Sequence, residues 1–93
     1  MSNVLSILKT NKLLLFSKYP IKTLALFGSY ARGDADRNSD VDILVELSEH
    51  DGWKFLSLAD ELETLLNKKV DLVSKDGVKQ QYFDYFSQQL IYV

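Results

Sequence analysis

Two aspartates one residue apart, Asp40 and Asp42, stand among Val41, Ile43, Leu44 and Val45 in a stretch that otherwise reads as a buried strand. Strand side chains alternate faces, so the two carboxylates share one side with Cα atoms ~6.6 Å apart. Val41, Ile43 and Val45 point the other way, into the core. Two carboxylates ~5 Å apart at an effective dielectric near 20 repel by roughly 3 kcal/mol. That is a large share of the roughly 5–15 kcal/mol that keeps a small domain folded. A divalent cation shared between them turns the repulsion into attraction. Oxygen ligands with no cysteine or histidine beside them select Mg2+, with Mn2+ as the other candidate.

Asp71 repeats the arrangement between Val70 and Leu72. If its strand neighbours that of Asp42, three carboxylates face one pocket. Such a trio can hold two ions ~3.5–4 Å apart, the geometry used for in-line displacement at phosphorus. Asp71 is then the candidate to accept or orient the proton of the nucleophile. Upstream, Gly28 ends an apolar run and has no Cβ, so its backbone can approach a phosphate closely. Ser29 adds a hydroxyl donor at the mouth of a helical turn, whose first amides favour anions. Arg32 and Arg37 offer charge-assisted contacts to phosphate or carboxylate. Each piece alone has a plain reading: strand-edge residues, a turn, a surface pair of Arg32 with Asp34 or Asp36 worth close to nothing. The joint layout is far more constrained, with a strand, Gly-Ser, ten residues and then Asp-x-Asp on a second strand.

The elements that must position these residues follow from periodicity. Residues 3–18 carry Val4, Leu5, Ile7, Leu8, Leu14 and Leu15 at helical spacing, and Tyr19-Pro20 ends the helix. "KTLALFG" (22–28) reads as a buried strand, and "SYARGDADRNS" as one helical turn and a polar loop. "SDVDILVEL" (39–47) is the next strand. "HDGWKFLSLADELETLLNKK" (50–69) is a helix with Asp51 as N-cap and Trp53, Leu56, Ala59, Leu62, Leu65 and Leu66 on its apolar side. "KVDLVS" (69–74) is a third strand, followed by a turn, a short helix and an apolar C-terminal segment. Helices alternating with strands in this order predict one α+β domain spanning 1–93, a small mixed sheet of three to four strands packed against helices.

The 93 residues suit one core, and 46% hydrophobic with 26% charged content is ordinary for a globular chain. A net charge of −2 gives no basic footprint, so neither DNA nor RNA is expected as a partner. The absence of cysteine excludes disulfides and thiolate sites, and His50 stands alone. No leader pattern or membrane-length apolar run appears, so a cytoplasmic protein without membrane contact is expected.

With these residues in place, "GSYARGDADRNSDVDILV" (28–45) resembles the Gly-Ser, ten residues, Asp-x-Asp pattern of the polymerase-β-type nucleotidyltransferases. The short length, Arg32-Gly33 and "KKVDLVS" narrow the resemblance to the minimal nucleotidyltransferases, the MntA-type antitoxins of HEPN/MNT toxin–antitoxin pairs. It runs from about Leu24 to the C-terminus. It implies the polymerase-β-like fold, with Gly28 and Ser29 gripping nucleotide phosphates, Asp40 and Asp42 on two Mg2+ ions, and Asp71 as third carboxylate. Arg32 joins them as a nucleotide-binding candidate through its charge. The implied reaction transfers AMP from ATP to a tyrosine hydroxyl of a partner HEPN ribonuclease toxin, silencing it. Two alternatives stand beside it: a non-catalytic antitoxin that covers its partner, and nucleotidyl transfer to a small molecule or RNA. "YFDYFSQQLIYV" (82–93) is a candidate docking surface, unless Tyr82, Phe83 and Phe86 simply pack on the sheet.

Overall fold

The segment ending at Tyr19-Pro20 folds as two short helices instead of one in the computed structural model, which describes residues 3–93. Helix α1 covers Val4–Thr10 and α2 covers Lys12–Lys18. Asn11 separates them, and its side-chain Nδ2 donates to the Ile7 carbonyl at 2.9 Å, competing with the backbone of the helix. Strand β1 (Ile21–Phe27) leads into the short α3 (Gly28–Arg32), then β2 (Val41–Leu47), α4 (Gly52–Leu66), β3 (Val70–Ser74), α5 (Gln80–Phe86) and β4 (Ile91–Tyr92).

The sheet has the order β3-β2-β1-β4. β1 pairs antiparallel with both β2 and β4, whereas β2 and β3 run parallel. A parallel pair cannot close through a tight turn, and α4 supplies the crossover. The mixed sheet therefore has four strands. The fourth comes from the apolar C-terminal segment, where Val93 N–H also donates to the Leu24 carbonyl at 2.9 Å.

One face of the sheet forms the core. Leu24 and Leu26 of β1, Val41, Ile43 and Val45 of β2, and Val70 of β3 pack against Val4, Leu8 and Leu15 and against Leu58, Leu62 and Leu66. Alternation does the sorting, since Asp42, Leu44 and Glu46 of β2 must then occupy the opposite face. Asp51 caps α4, its Oδ1 accepting from the amides of Trp53 at 3.0 Å and Lys54 at 3.1 Å. The buried stripe of α4 differs from the sequence expectation: it runs through Leu58, Leu62 and Leu66, while Trp53 and Leu56 are 82% and 57% exposed. Apolar residues on a full-circle helix satisfy two stripes at once, and only the position of the sheet chooses between them. Glu61 ties α2 to α4 by accepting from Lys18 Nζ and Tyr19 Oη, each at 2.8 Å. Burial and the neighbouring Glu61 push the Tyr19 phenol up to about 12, and the Lys18 and Tyr19 hydrogen bonds hold the Glu61 carboxyl below its ordinary range.

Among the described residues no helix is long and apolar enough to cross a membrane. Leu62→Ala is expected to lower unfolding free energy by about 2–5 kcal/mol, since its side chain is fully buried. Asp51→Ala is expected to cost about 1 kcal/mol through the lost cap. Urea titration followed by circular dichroism measures both.

Candidate active site

Antiparallel pairing places Asp42 opposite Phe27, the residue immediately before Gly28. Parallel pairing places Asp42 opposite Asp71. The central strand thus brings the Gly-Ser turn to one side of Asp42 and the third aspartate to the other. Asp40 sits just ahead of β2 instead of inside it and is exposed. The next residue, Val41, donates its N–H to the Lys69 carbonyl at 2.9 Å and starts the ladder.

Gly28 opens α3 with φ of +72°, in the left-handed region that side chains avoid. A Cβ built there would run into the Asp42 carboxylate, with Oδ2 nearest, Cγ at 3.0 Å and Cβ at 3.2 Å. The glycine is therefore required by close packing against an acid as well as by backbone conformation. No side chain caps the first turn of α3. Its last turn closes on Gly33, where the Ser29 carbonyl accepts from the Gly33 and Asp34 amides at 2.9 and 3.1 Å.

The electrostatics of the cluster centre on Asp42. Burial, then Asp71, then Asp40 push its carboxyl above the ordinary range, and Arg32 offsets part of this. Like charges at close range disfavour ionisation. Arg32 donates from Nε to Asp34 Oδ2 at 3.1 Å and from Nη1 to Gln89 Oε1 at 3.3 Å. The Asp34 pair lies in solvent, where such pairs contribute at most about 1 kcal/mol. A triphosphate could take over that guanidinium at little cost.

Three carboxylates with no thiol or imidazole among them are the donor set that a hard divalent cation takes. The trio is looser than sequence spacing suggests. Among the described residues, no three acidic, cysteine or histidine side chains close into a compact metal cage.

Other expectations fall differently. Arg37 lines a cavity of about 740 Å3 together with Tyr30, Leu26, Leu66 and Lys68, and none of the three aspartates lines it. The C-terminal aromatics divide. Phe86 stacks on Phe27 of β1 with centroids 4.8 Å apart, and Phe83 meets Phe86 edge-on at 5.9 Å. Tyr82, Tyr85 and Tyr92 remain exposed. Gln89 was not singled out from the sequence, because nothing local marks a glutamine that meets an arginine 57 positions away.

The nucleotidyltransferase domain family model matches residues 7–91 of this chain. A Methanocaldococcus jannaschii protein with the provisional name of protein adenylyltransferase is 46% identical over 94 residues, covering 99% of this chain and 96% of its own. The protein adenylyltransferase MntA of Thermococcus cleftensis is 39% identical over 89 residues, covering 95% and 90%. Among solved structures, one described provisionally as a minimal nucleotidyltransferase superposes with a TM-score of 0.79 at 29% identity, covering 98% of this chain and 95% of that one. A toxin–antitoxin structure with AMP-PNP gives 0.74 at 28%, covering 90% and 70%. A tri-AMPylated Shewanella oneidensis HEPN toxin in complex with its MNT antitoxin gives 0.66 at 27%, covering 95% and 68%.

Two outcomes test the geometry. Gly28→Ala is expected to destabilise the chain by about 1–3 kcal/mol, because the new methyl must displace the Asp42 carboxylate from a strained backbone position. Chemical denaturation checks it, and an unchanged midpoint contradicts the packing. The second concerns pH. A carboxyl raised in the folded state binds its proton more tightly there than in the unfolded chain. Its stabilising contribution is complete below the ordinary carboxylate range and is lost as pH rises through the raised value. Asp42→Asn is therefore expected to stabilise the metal-free chain at neutral pH and to flatten that loss, as read from urea midpoints between pH 4 and 7.

Proposed function

This chain belongs to the nucleotidyltransferase domain family, and from that membership we propose that it is an antitoxin adenylyltransferase that moves AMP from ATP to a tyrosine hydroxyl of a HEPN-type toxin. It is an enzyme of the nucleotidyltransferase type, and its similarity to an MntA adenylyltransferase and to toxin–antitoxin structures supports the antitoxin role. The observation that carries the reading is the double pairing of Asp42, with Phe27 of the phosphate turn on one side and Asp71 on the other.

In this reading Gly28 and Ser29 receive the β- and γ-phosphates through backbone amides and the Ser29 hydroxyl, and Arg32 exchanges its Asp34 contact for phosphate oxygens. Asp40, Asp42 and Asp71 would hold two Mg2+ ions, which when bound supply Lewis-acid stabilisation of the charge that develops on the phosphates. The acceptor oxygen forms a bond to the α-phosphorus while the bond from that phosphorus to the bridging oxygen breaks, and pyrophosphate leaves with the electron pair. Asp71 accepts the proton released by the acceptor hydroxyl. The carboxylates do not line the cavity beside Tyr30 and Arg37, which supports an acceptor presented by another protein.

With Mg2+, α-labelled ATP and a HEPN toxin, the purified chain is expected to label the toxin on tyrosine. Asp42→Ala should keep its circular dichroism spectrum and lose labelling by on the order of 10³-fold, the equivalent of several kcal/mol of charge stabilisation. Undiminished labelling by that variant would remove the metal assignment. Neutralisation of the toxin in cells by an Asp40→Ala, Asp42→Ala chain would instead favour the binding-only alternative.

A further inference from the structure

Asp71 stands on a less supported strand than Asp42 does. Its strand β3 has five residues and forms an edge of the sheet, so it is hydrogen-bonded to a neighbour on one side only. Strand side chains alternate, and a slip of one residue would turn Asp71 towards the core and bring Val70 or Leu72 out. Something beyond the ladder with β2 must hold the register. The amide of Val70, the residue immediately before Asp71, donates to Glu63 Oε2 at 3.0 Å in a half-buried setting. Glu63 belongs to α4 and is flanked there by Leu62 and Leu66, both locked in the core. Among the described residues no other side chain hydrogen-bonds to the backbone of β3. On the other side of the same strand entry, the Lys69 carbonyl accepts from the Val41 amide, so the start of β3 is gripped from both flanks.

We propose that Glu63 is a positioning residue for the candidate metal site: its carboxylate, bonded to the Val70 amide, fixes the register that sets Asp71 opposite Asp42. The inference rests on the reading of the aspartates as metal ligands. Glu63 touches neither metal nor substrate. It acts as outer partners of metal ligands act, by orienting a group that does the ligating, and loss of such a partner typically weakens metal binding about 10–100-fold.

The test uses Mn2+ alone as probe, its affinity read by titration calorimetry, together with amide hydrogen exchange. In the parent, Mn2+ should bind, and Asp71→Ala should weaken it about tenfold. In Glu63→Ala, exchange at Val70 and Asp71 should accelerate and Mn2+ affinity should drop about tenfold. In the Asp71→Ala background, Glu63→Ala should bring no further loss of affinity. Glu63→Gln keeps an acceptor oxygen and should stay close to the parent in both readouts. A purely structural role predicts faster exchange with unchanged Mn2+ affinity, and that result overturns the proposal. So does a parent whose Mn2+ affinity Asp71→Ala leaves unchanged, or a Glu63→Gln chain as impaired as Glu63→Ala. A parent that takes up Mn2+ through Asp71 yet fails to bind α,β-methylene-ATP would count against the proposed function alone.

Discussion

The crowding of negative charge around Asp42 is the constraint from which the rest of the site follows. Burial first, and then Asp71 and Asp40, raise the proton affinity of Asp42, and the chain keeps these acids near one another although nothing in its hydrophobic core needs them there. The cost is local. Asp42 occupies the sheet face opposite the core, so its carboxylate is half-buried without breaching the apolar layer beneath it. Gly28 belongs to the same constraint from the other side. Its missing side chain is the space that the Asp42 carboxylate fills, so glycine turn and acid are fitted to each other.

Backbone topology turns that local fit into a site. A central strand with one antiparallel and one parallel neighbour can collect residues from positions far apart in sequence at a single level of the sheet. Phe27, Asp42 and Asp71 are aligned across three strands in this way. Aromatic packing of Phe86 on Phe27 then closes the flank of the turn, and the Arg32–Gln89 hydrogen bond links α3 to the segment after α5. The result is a site in which the glycine turn, the central acid and the third aspartate lie at one level of the sheet.

Much of this was legible in the amino-acid order because it rests on short-range rules. Alternation separated Asp40 and Asp42 from Val41 and Ile43, Pro20 fixed the end of the first helical segment, and Asp51 announced the start of α4. What escaped depends on tertiary context. The break at Asn11 arises from one side-chain hydrogen bond, and the choice of Leu58 over Trp53 as the buried residue of α4 depends on where the sheet lies. Asp40 was read inside β2, yet the ladder begins at Val41, where the Lys69 carbonyl first offers an acceptor. The pairing of Arg32 with Gln89 and the hold of Glu63 on Val70 have no local mark at all, since glutamine and glutamate are common on any surface.

The separation between Arg32 and Gln89 also orders events during synthesis. A nascent chain that has released only β1, α3 and β2 already displays its pair of neighbouring acids, but Arg32 lacks its Gln89 acceptor and Phe27 lacks its ring partner. The flank of the turn closes only once residues 80–93 leave the ribosome and lie down along the sheet. The turn beside Asp42 is thus buttressed by a side chain made 57 positions after the arginine it meets.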